Sequence, residues 1–355
     1  MKQKLCTSAT LRELKNLRKP VQICLTRGPK IKTLNKKIRL NKFTYFCFQP
    51  KPSNQMKNVL VIFYSQSGQL ESIARNIAKP FLNAEEIKVT FHEIQLEKPF
   101  PFPWNKTTFF DAFPESFLQI PTALKPVSEE ILNTKYDLVL LHYQVWYLSP
   151  SIPMNSFLKS TEAKTILNNT PVITINGSRN MWIMAQEKVK VLLRDVNARL
   201  VGNVALVDRV GNLISVITIV HWMFSGVKEK YLGFFPLPGV SDKDIQESDK
   251  FGEVILSEFN QNRLDDLQPK LAEIGAVKIS SYLVTVDKTA NKIFNKWSNI
   301  IHKNQKNRKT LLKIFYVYLF LAIWLISPIV YILHLITYPF KFKKIKKETQ
   351  YYQGV

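Results

Sequence analysis

From Val59 to Tyr64 the chain reads Val-Leu-Val-Ile-Phe-Tyr, an unbroken apolar and aromatic run. Such a run fits a strand buried on both faces of a parallel sheet. It leads through Ser65-Gln66-Ser67-Gly68-Gln69 into a stripe of Leu70, Ile73, Ala74, Ile77 and Ala78, which predicts a helix stopped at Pro80. Ile87–Ile94 alternates like a second strand. Tyr136–Tyr143, Pro171–Asn176 and Asn203–Val207 supply three more, with a helix over 182–196 before the last. Strands alternating with helices predict right-handed crossovers and an α/β, doubly wound, five-stranded parallel sheet. The charged amphipathic pattern of Asp242–Ile274 predicts helices that cover it.

Two stretches interrupt this pattern. In Lys98–Pro126, Pro99, Pro101 and Pro103 alternate with Phe100, Phe102 and Trp104, and Phe109, Phe110, Phe113 and Phe117 follow. The prolines argue against a regular element, and so many aromatics call for burial. Either the loop packs over the sheet edge, or it is an apolar cover that receives alkyl chains. Leu213–Val227 is apolar but too short to span a bilayer, so it reads as a buried helix or a surface that dips into lipid. With the Gly/Pro/Phe-rich run that follows, this insertion extends over 213–239.

Ile314–Phe340 is 27 residues without Lys, Arg, Asp or Glu. As a helix it is about 40 Å long, enough to cross a hydrocarbon core. Both flanks are basic, with Lys303, Lys306, Arg308 and Lys309 before it and Lys341, Lys343, Lys344, Lys346 and Lys347 after it. The positive-inside rule places both on the cytoplasmic side, which a single span does not permit. Ser327-Pro328 near the centre predicts a bend. The expectation is one kinked span or an in-plane anchor in a bacterial inner membrane, with the folded domain in the cytoplasm.

Composition sharpens the domain boundaries. The net charge of +23 resides at the two ends. Residues 1–55 carry 14 Lys/Arg and one acid, residues 288–355 carry 13 and one, and residues 56–287 are close to neutral. No recognisable nucleic-acid module accompanies the charge, so nucleic acid is not an expected partner. The three cysteines, Cys6, Cys24 and Cys47, lie upstream of the folded pattern without a CxxC pair, which supports neither a disulfide framework nor a metal site. Residues 1–55 read as a basic, disordered or non-native extension: either a tail touching anionic lipid or codons upstream of a start at Met56. The remaining divisions are an α/β domain over 56–285 with insertions at 98–126 and 213–239, a basic helical linker over 286–310, a membrane segment over 311–341 and a basic tail over 342–355.

In doubly wound sheets ligands sit at the carboxyl ends of the strands, near the switch in strand order. Three loops meet that rule. Ser65–Leu70 brings hydroxyls, a glycine and helix N-terminal amides together, which suits a phosphate as well as an ordinary capped turn. Gln144–Pro153 carries adjacent Trp146 and Tyr147, flat faces for a planar ring. Asn176-Gly177-Ser178-Arg179-Asn180-Met181-Trp182 adds amides, a cation and another aromatic. Three candidates for proton transfer stand nearby: His142 at the end of the third strand, and Asp111 and Glu115 in the aromatic insertion.

The run FYSQSGQ resembles the phosphate loop of the flavodoxin-like family, hydroxyl-x-hydroxyl-Gly-x-Thr, and QVWYLSPSIPMNSFL and NGSRNMW resemble its second and third flavin loops. The resemblance covers about residues 57–208. It implies FMN, with its phosphate on Ser65, Gln66, Ser67, Gly68 and Gln69, Trp146 and Tyr147 flanking the ring, and Asn176, Gly177, Ser178, Arg179 and Asn180 along the other edge. Leu70 departs from the pattern, replacing the last hydroxyl. YSQSGQL, FPFPW, FFDAFPES and GSRNMW further resemble flavodoxin-like proteins called dialkylresorcinol condensing enzymes, found in bacteria that make resorcinol lipids and flexirubin-type pigments. That resemblance implies a lipid-like diketone substrate. The middle of the chain has no cysteine to act as an acyl-carrying nucleophile. A partner ketosynthase is therefore expected to form the carbon–carbon bond, leaving oxidation of a dialkyl cyclohexanedione to the flavin. The alternatives are a membrane-tethered FMN electron carrier or quinone reductase, and a cofactor-free scaffold for a partner enzyme.

Overall fold

The computed structural model describes residues 56–355, and the expectations for residues 1–55 fall outside them. β1 (Lys57–Phe63) leads into α1 (Gln69–Leu82) and β2 (Ile87–Glu93). The aromatic insertion follows, with α2 (Lys106–Asp111) and α3 (Phe113–Phe117), and α4 (Glu129–Asn133) comes after it. β3 (Leu138–Tyr143) is succeeded by a short antiparallel ribbon of β4 (Val145–Trp146) and β5 (Ser149–Pro150), then α5 (Ile152–Leu158) and α6 (Thr161–Leu167). β6 (Pro171–Ser178), α7 (Ile183–Asp195) and β7 (Arg199–Val207) complete the sheet. Its five strands are all parallel, in the order β2-β1-β3-β6-β7.

The pleat of β1 shows why the run at Val59 is apolar throughout. Val59, Val61 and Phe63 enter one layer and Leu60 and Ile62 the other. After β7 the apolar insertion forms α8 (Asn212–Ser225), and the first layer is closed by α1 and by the charged region, which forms α9 (Asp242–Gln246), α10 (Asp249–Asn260) and α11 (Leu267–Glu273), all three packing there as expected. Gly252 marks the closest approach of α10 to α1: a β-carbon there would lie 2.1 Å from the Ile77 carbonyl oxygen. α1 also runs two residues beyond Pro80, because Phe81 is fully buried against Phe259 and its packing outweighs the lost hydrogen bond.

The insertion departs from expectation. Prolines notwithstanding, it contains α2 and α3, since Asn105 caps α2 through the Thr108 N–H and Pro114 stands in the first turn of α3, where a missing N–H costs nothing. The region read as a linker is α12 (Ser281–Lys303), a packed helix with Val284, Asp287, Phe294, Ser298 and Ile301 buried. α13 (Arg308–Leu321), a π-helical turn (Ala322–Ile326) and α14 (Ser327–Gln353) follow. Gln305–Gln353 is the one helical stretch among the described residues long and apolar enough to cross a membrane, with a mean hydropathy of 2.4 in its most apolar window and none of that window buried. The basic tail is helical to Gln353, and Tyr352 reaches the main core.

Candidate functional site

The carboxyl ends of β1, β3 and β6 bring the three predicted loops together, because these strands are neighbours in the sheet. In the first loop Gly68 adopts a left-handed conformation (φ 81°) just before α1, with open space where a side chain would be. The Ser65 hydroxyl accepts from the Glu71 N–H, while the N–H groups of Gly68, Gln69 and Leu70 have no partner among the described residues. These free donors at a helix N-terminus form an anion cradle. The amide side chains of the loop are committed elsewhere. Gln66 receives the Tyr64 hydroxyl and donates to the Pro101 carbonyl at 2.9 Å, and Gln69 forms a two-way pair with the Val240 backbone. Leu70 is buried beneath Gly177, where a β-carbon would come within 2.9 Å of it. The missing hydroxyl is thus the consequence of close packing between the first and third loops.

Trp146 and Tyr147 part company. Trp146 stands edge-on to Tyr64, Phe100 and Trp104 at 5.1–6.2 Å, so the insertion meets the second loop directly above the first. Tyr147 turns into a separate cluster, donating to the Phe109 carbonyl at 2.6 Å and packing on Phe113 at 5.2 Å. Burial pushes its phenol well above the ordinary range. Trp146 is therefore the aromatic left beside the cradle. In the third loop the Ser178 hydroxyl donates to the side-chain Oδ1 of Asn176. Arg179 points away from the cradle, its guanidinium bonded to the Asn212 carbonyl and pushed down to about 10 by burial, with Asp208 opposing. Gln144 Nε2, Asn176 Nδ2 and Asn180 Oδ1 are buried without partners among the described residues. Unpaired groups of this kind suit a polar ring edge.

The three candidates for proton transfer have other roles. β3 continues past His142, which pairs with Ile175 and is wholly buried. Its Nδ1 lies 3.2 Å from the Leu140 carbonyl, and burial pushes it down to about 4, so it is a neutral core residue. Asp111 and Glu115 clamp Arg308 at the start of α13, with contacts of 2.6 Å and 2.7 Å. Burial pushes the Glu115 carboxyl up, but Arg308 outweighs it and holds the group below its usual range, unsuited to a base.

Two charged groups on packed helices escaped the sequence reading. Lys188 on α7 donates to Ser149 Oγ at 2.6 Å, and Asp287 on α12 accepts from the Met184 N–H at 3.2 Å. Burial pushes Asp287 from 3.8 up to about 6 against two N–H groups and Lys188, and pushes Lys188 from 10.5 down to about 7 against Asp287. Between about pH 4 and 6 the folded chain keeps a proton on Asp287 that the unfolded chain releases, so stability falls as pH rises. Between about pH 7 and 10 the unfolded chain keeps the Lys188 proton that the folded chain has lost, so stability rises. Between pH 4 and 6 His142, protonated in the unfolded chain and neutral in the fold, offsets the Asp287 contribution, so urea midpoints are expected to climb between about pH 7 and 9, and Lys188→Met removes that climb. A variant that climbs as steeply as the parent contradicts this assignment.

Beside the third loop a cavity of about 800 Å³ opens between Asn180, Trp182, Ile214, Leu283 and the Pro328–Tyr331 stretch of α14. α8 lies along the same region with Ser215, Thr218 and Trp222 buried and Ile214 and Val220 exposed, an apolar outer face in keeping with the second of its two predicted roles.

The strand order, β1 flanked by β2 and β3, is that of the flavodoxin-like doubly wound fold, with the cradle at its switch point. No family model matches the chain, and no curated protein does. Among solved structures, a flavoprotein in complex with FMN from Lactobacillus acidophilus is 16% identical, over 42% of this chain and 93% of its own, with a TM-score of 0.34. A flavodoxin from the domain Archaea is 13% identical over 58% and 99%, with a TM-score of 0.32. Oxidised flavodoxin 1 from Bacillus cereus is 15% identical over 58% and 98%, with a TM-score of 0.30.

Proposed function

We propose that the protein is a membrane-anchored, FMN-dependent oxidoreductase of dialkylresorcinol formation, which aromatises a dialkyl cyclohexanedione assembled by a partner ketosynthase. The observation that carries the cofactor reading is the cradle of free N–H groups at Gly68–Leu70, set at the switch point of the sheet. FMN fits it: the cradle and the Ser67 hydroxyl would take the phosphate, Trp146 would flank the ring, and Gln144, Asn176 and Asn180 would offer their unpaired amide atoms to its edge. FMN, when bound, accepts the electron pair. The substrate loses two electrons and two protons as its ring becomes a resorcinol, and the electrons leave to an external acceptor, a quinone or dioxygen. The aromatic insertion and the cavity beside the exposed apolar helix support a bulky, apolar substrate drawn from a membrane.

The test uses the full chain in detergent with FMN supplied, mixed without oxygen with a dialkyl cyclohexanedione. The expected result is bleaching of the oxidised-flavin absorbance together with one resorcinol formed per flavin. Exchange of electrons with a quinone but no resorcinol contradicts the aromatase and leaves the carrier or quinone reductase.

A further inference from the structure

The apolar helix touches the folded domain at its start, its middle and its end. Near the start, Phe315 lies 5.7 Å from Phe294 of α12 and stacks on Phe113 at 3.9 Å. Near the end, Lys288 of α12 bonds Glu348 at 2.8 Å and sits over the Tyr352 ring, and Tyr351 donates to Glu187. A straight helix from Phe315 to Tyr352 separates its ends by about 55 Å, yet the residues they touch, Phe294 and Lys288, are only about 9 Å apart along α12. The helix therefore bends, and the π-helical turn, Pro328 and Pro339 are the places where its bond ladder is interrupted.

Its midpoint matters most. In a span, Ser327 would lie about 15 Å from either aqueous surface. Instead its carbonyl accepts from the Tyr282 hydroxyl at 3.1 Å, and His334 lies 3.2 Å from the Ser281 hydroxyl. Ser327 and His334 thus face α12, whereas Phe320, Leu325, Ile329, Ile332, Ile336 and Phe340 are exposed. The lysines flanking both ends belong to the same body.

We propose that residues 314–340 lie in one leaflet as a bent, monotopic anchor that does not cross the bilayer, with both lysine flanks on the anionic headgroups of that leaflet. This rests on the membrane reading above. It reconciles the two basic flanks with the positive-inside rule and accounts for contacts that a span does not allow.

The test places single cysteines at Lys306, Ile332 and Lys346 in the full chain, after Cys6, Cys24 and Cys47 are changed to serine. A membrane-impermeant maleimide is applied to intact cells and to inverted membrane vesicles of an expressing bacterium. Lys306→Cys and Lys346→Cys are expected to react only in inverted vesicles, to similar extents, and Ile332→Cys at least about tenfold less in either. Labelling of the two flanks from opposite faces, or free reaction of Ile332→Cys on membrane-bound protein, overturns the monotopic anchor alone. Recovery of the chain in the soluble fraction overturns the membrane reading beneath it.

Discussion

Replacing Phe113 by alanine is expected to cost about 3–5 kcal/mol, the range for deleting a fully buried aromatic ring. Phe113 is 0% exposed and sits at the centre of a cluster that no single element forms. Its ring lies flat on Phe315 of α13 (interplanar angle 6°) and meets Phe294 of α12 at 5.1 Å and Tyr147 of the second loop at 5.2 Å. The insertion, the second loop and the root of the apolar helix are thus joined through one side chain. A fall in melting temperature on the order of 10 °C follows for a domain of this size. Because the cluster holds the start of the apolar helix, trypsin should also cut at Arg308 and Lys309 at temperatures where the parent resists. A loss below about 1 kcal/mol, with no new cleavage, means that the cluster does not join these parts.

The second large effect is on the cradle. Gly68→Asp is expected to weaken FMN binding at least about 100-fold while leaving the fold intact. Aspartate tolerates the left-handed conformation better than most residues, and the space above Gly68 is open, so the backbone need not move. The carboxylate, however, lies where the phosphate would sit, and a like charge at about 4 Å costs several kcal/mol near a protein surface. Gly68→Asn, the same shape without the charge, should retain most of the affinity. Equal binding by both variants contradicts a phosphate at this turn.

The five strands were legible because Ile87–Ile94 alternates and the others are apolar runs whose pleat feeds two layers, as Leu60 and Val61 show by entering opposite ones. The meeting of the three loops followed from the rule for strand ends. Side-chain direction did not follow: Trp146 and Tyr147 are adjacent, yet left-handed backbone at Tyr147 and Leu148 sends them into different clusters. The third strand ends at Tyr143 as expected, but His142, one residue before that end, pairs with Ile175 and is sealed inside. The helices of the insertion were hidden by prolines that fall at first turns and between elements. Lys188 and Asp287 did leave a signal. Lys188 falls on the stripe of Ala185, Val189 and Leu192, and Asp287 on that of Val284, Phe294 and Ile301, so each puts a charge on a core-facing helix position. The fold of the apolar segment onto α12 was out of reach, since hydropathy reports that a helix seeks lipid and is silent on what its polar side touches.

The central claim is that the three loops hold FMN, and the most direct measurement is the chromophore content of the purified full chain. Absorption of the protein in detergent, after addition and removal of excess FMN, is followed by denaturation and identification of what is released. The account predicts about one FMN per chain in the parent and a near-colourless Gly68→Asp variant of unchanged fold. A folded parent that retains no FMN contradicts it, and the three loops would then be ordinary turns of a scaffold.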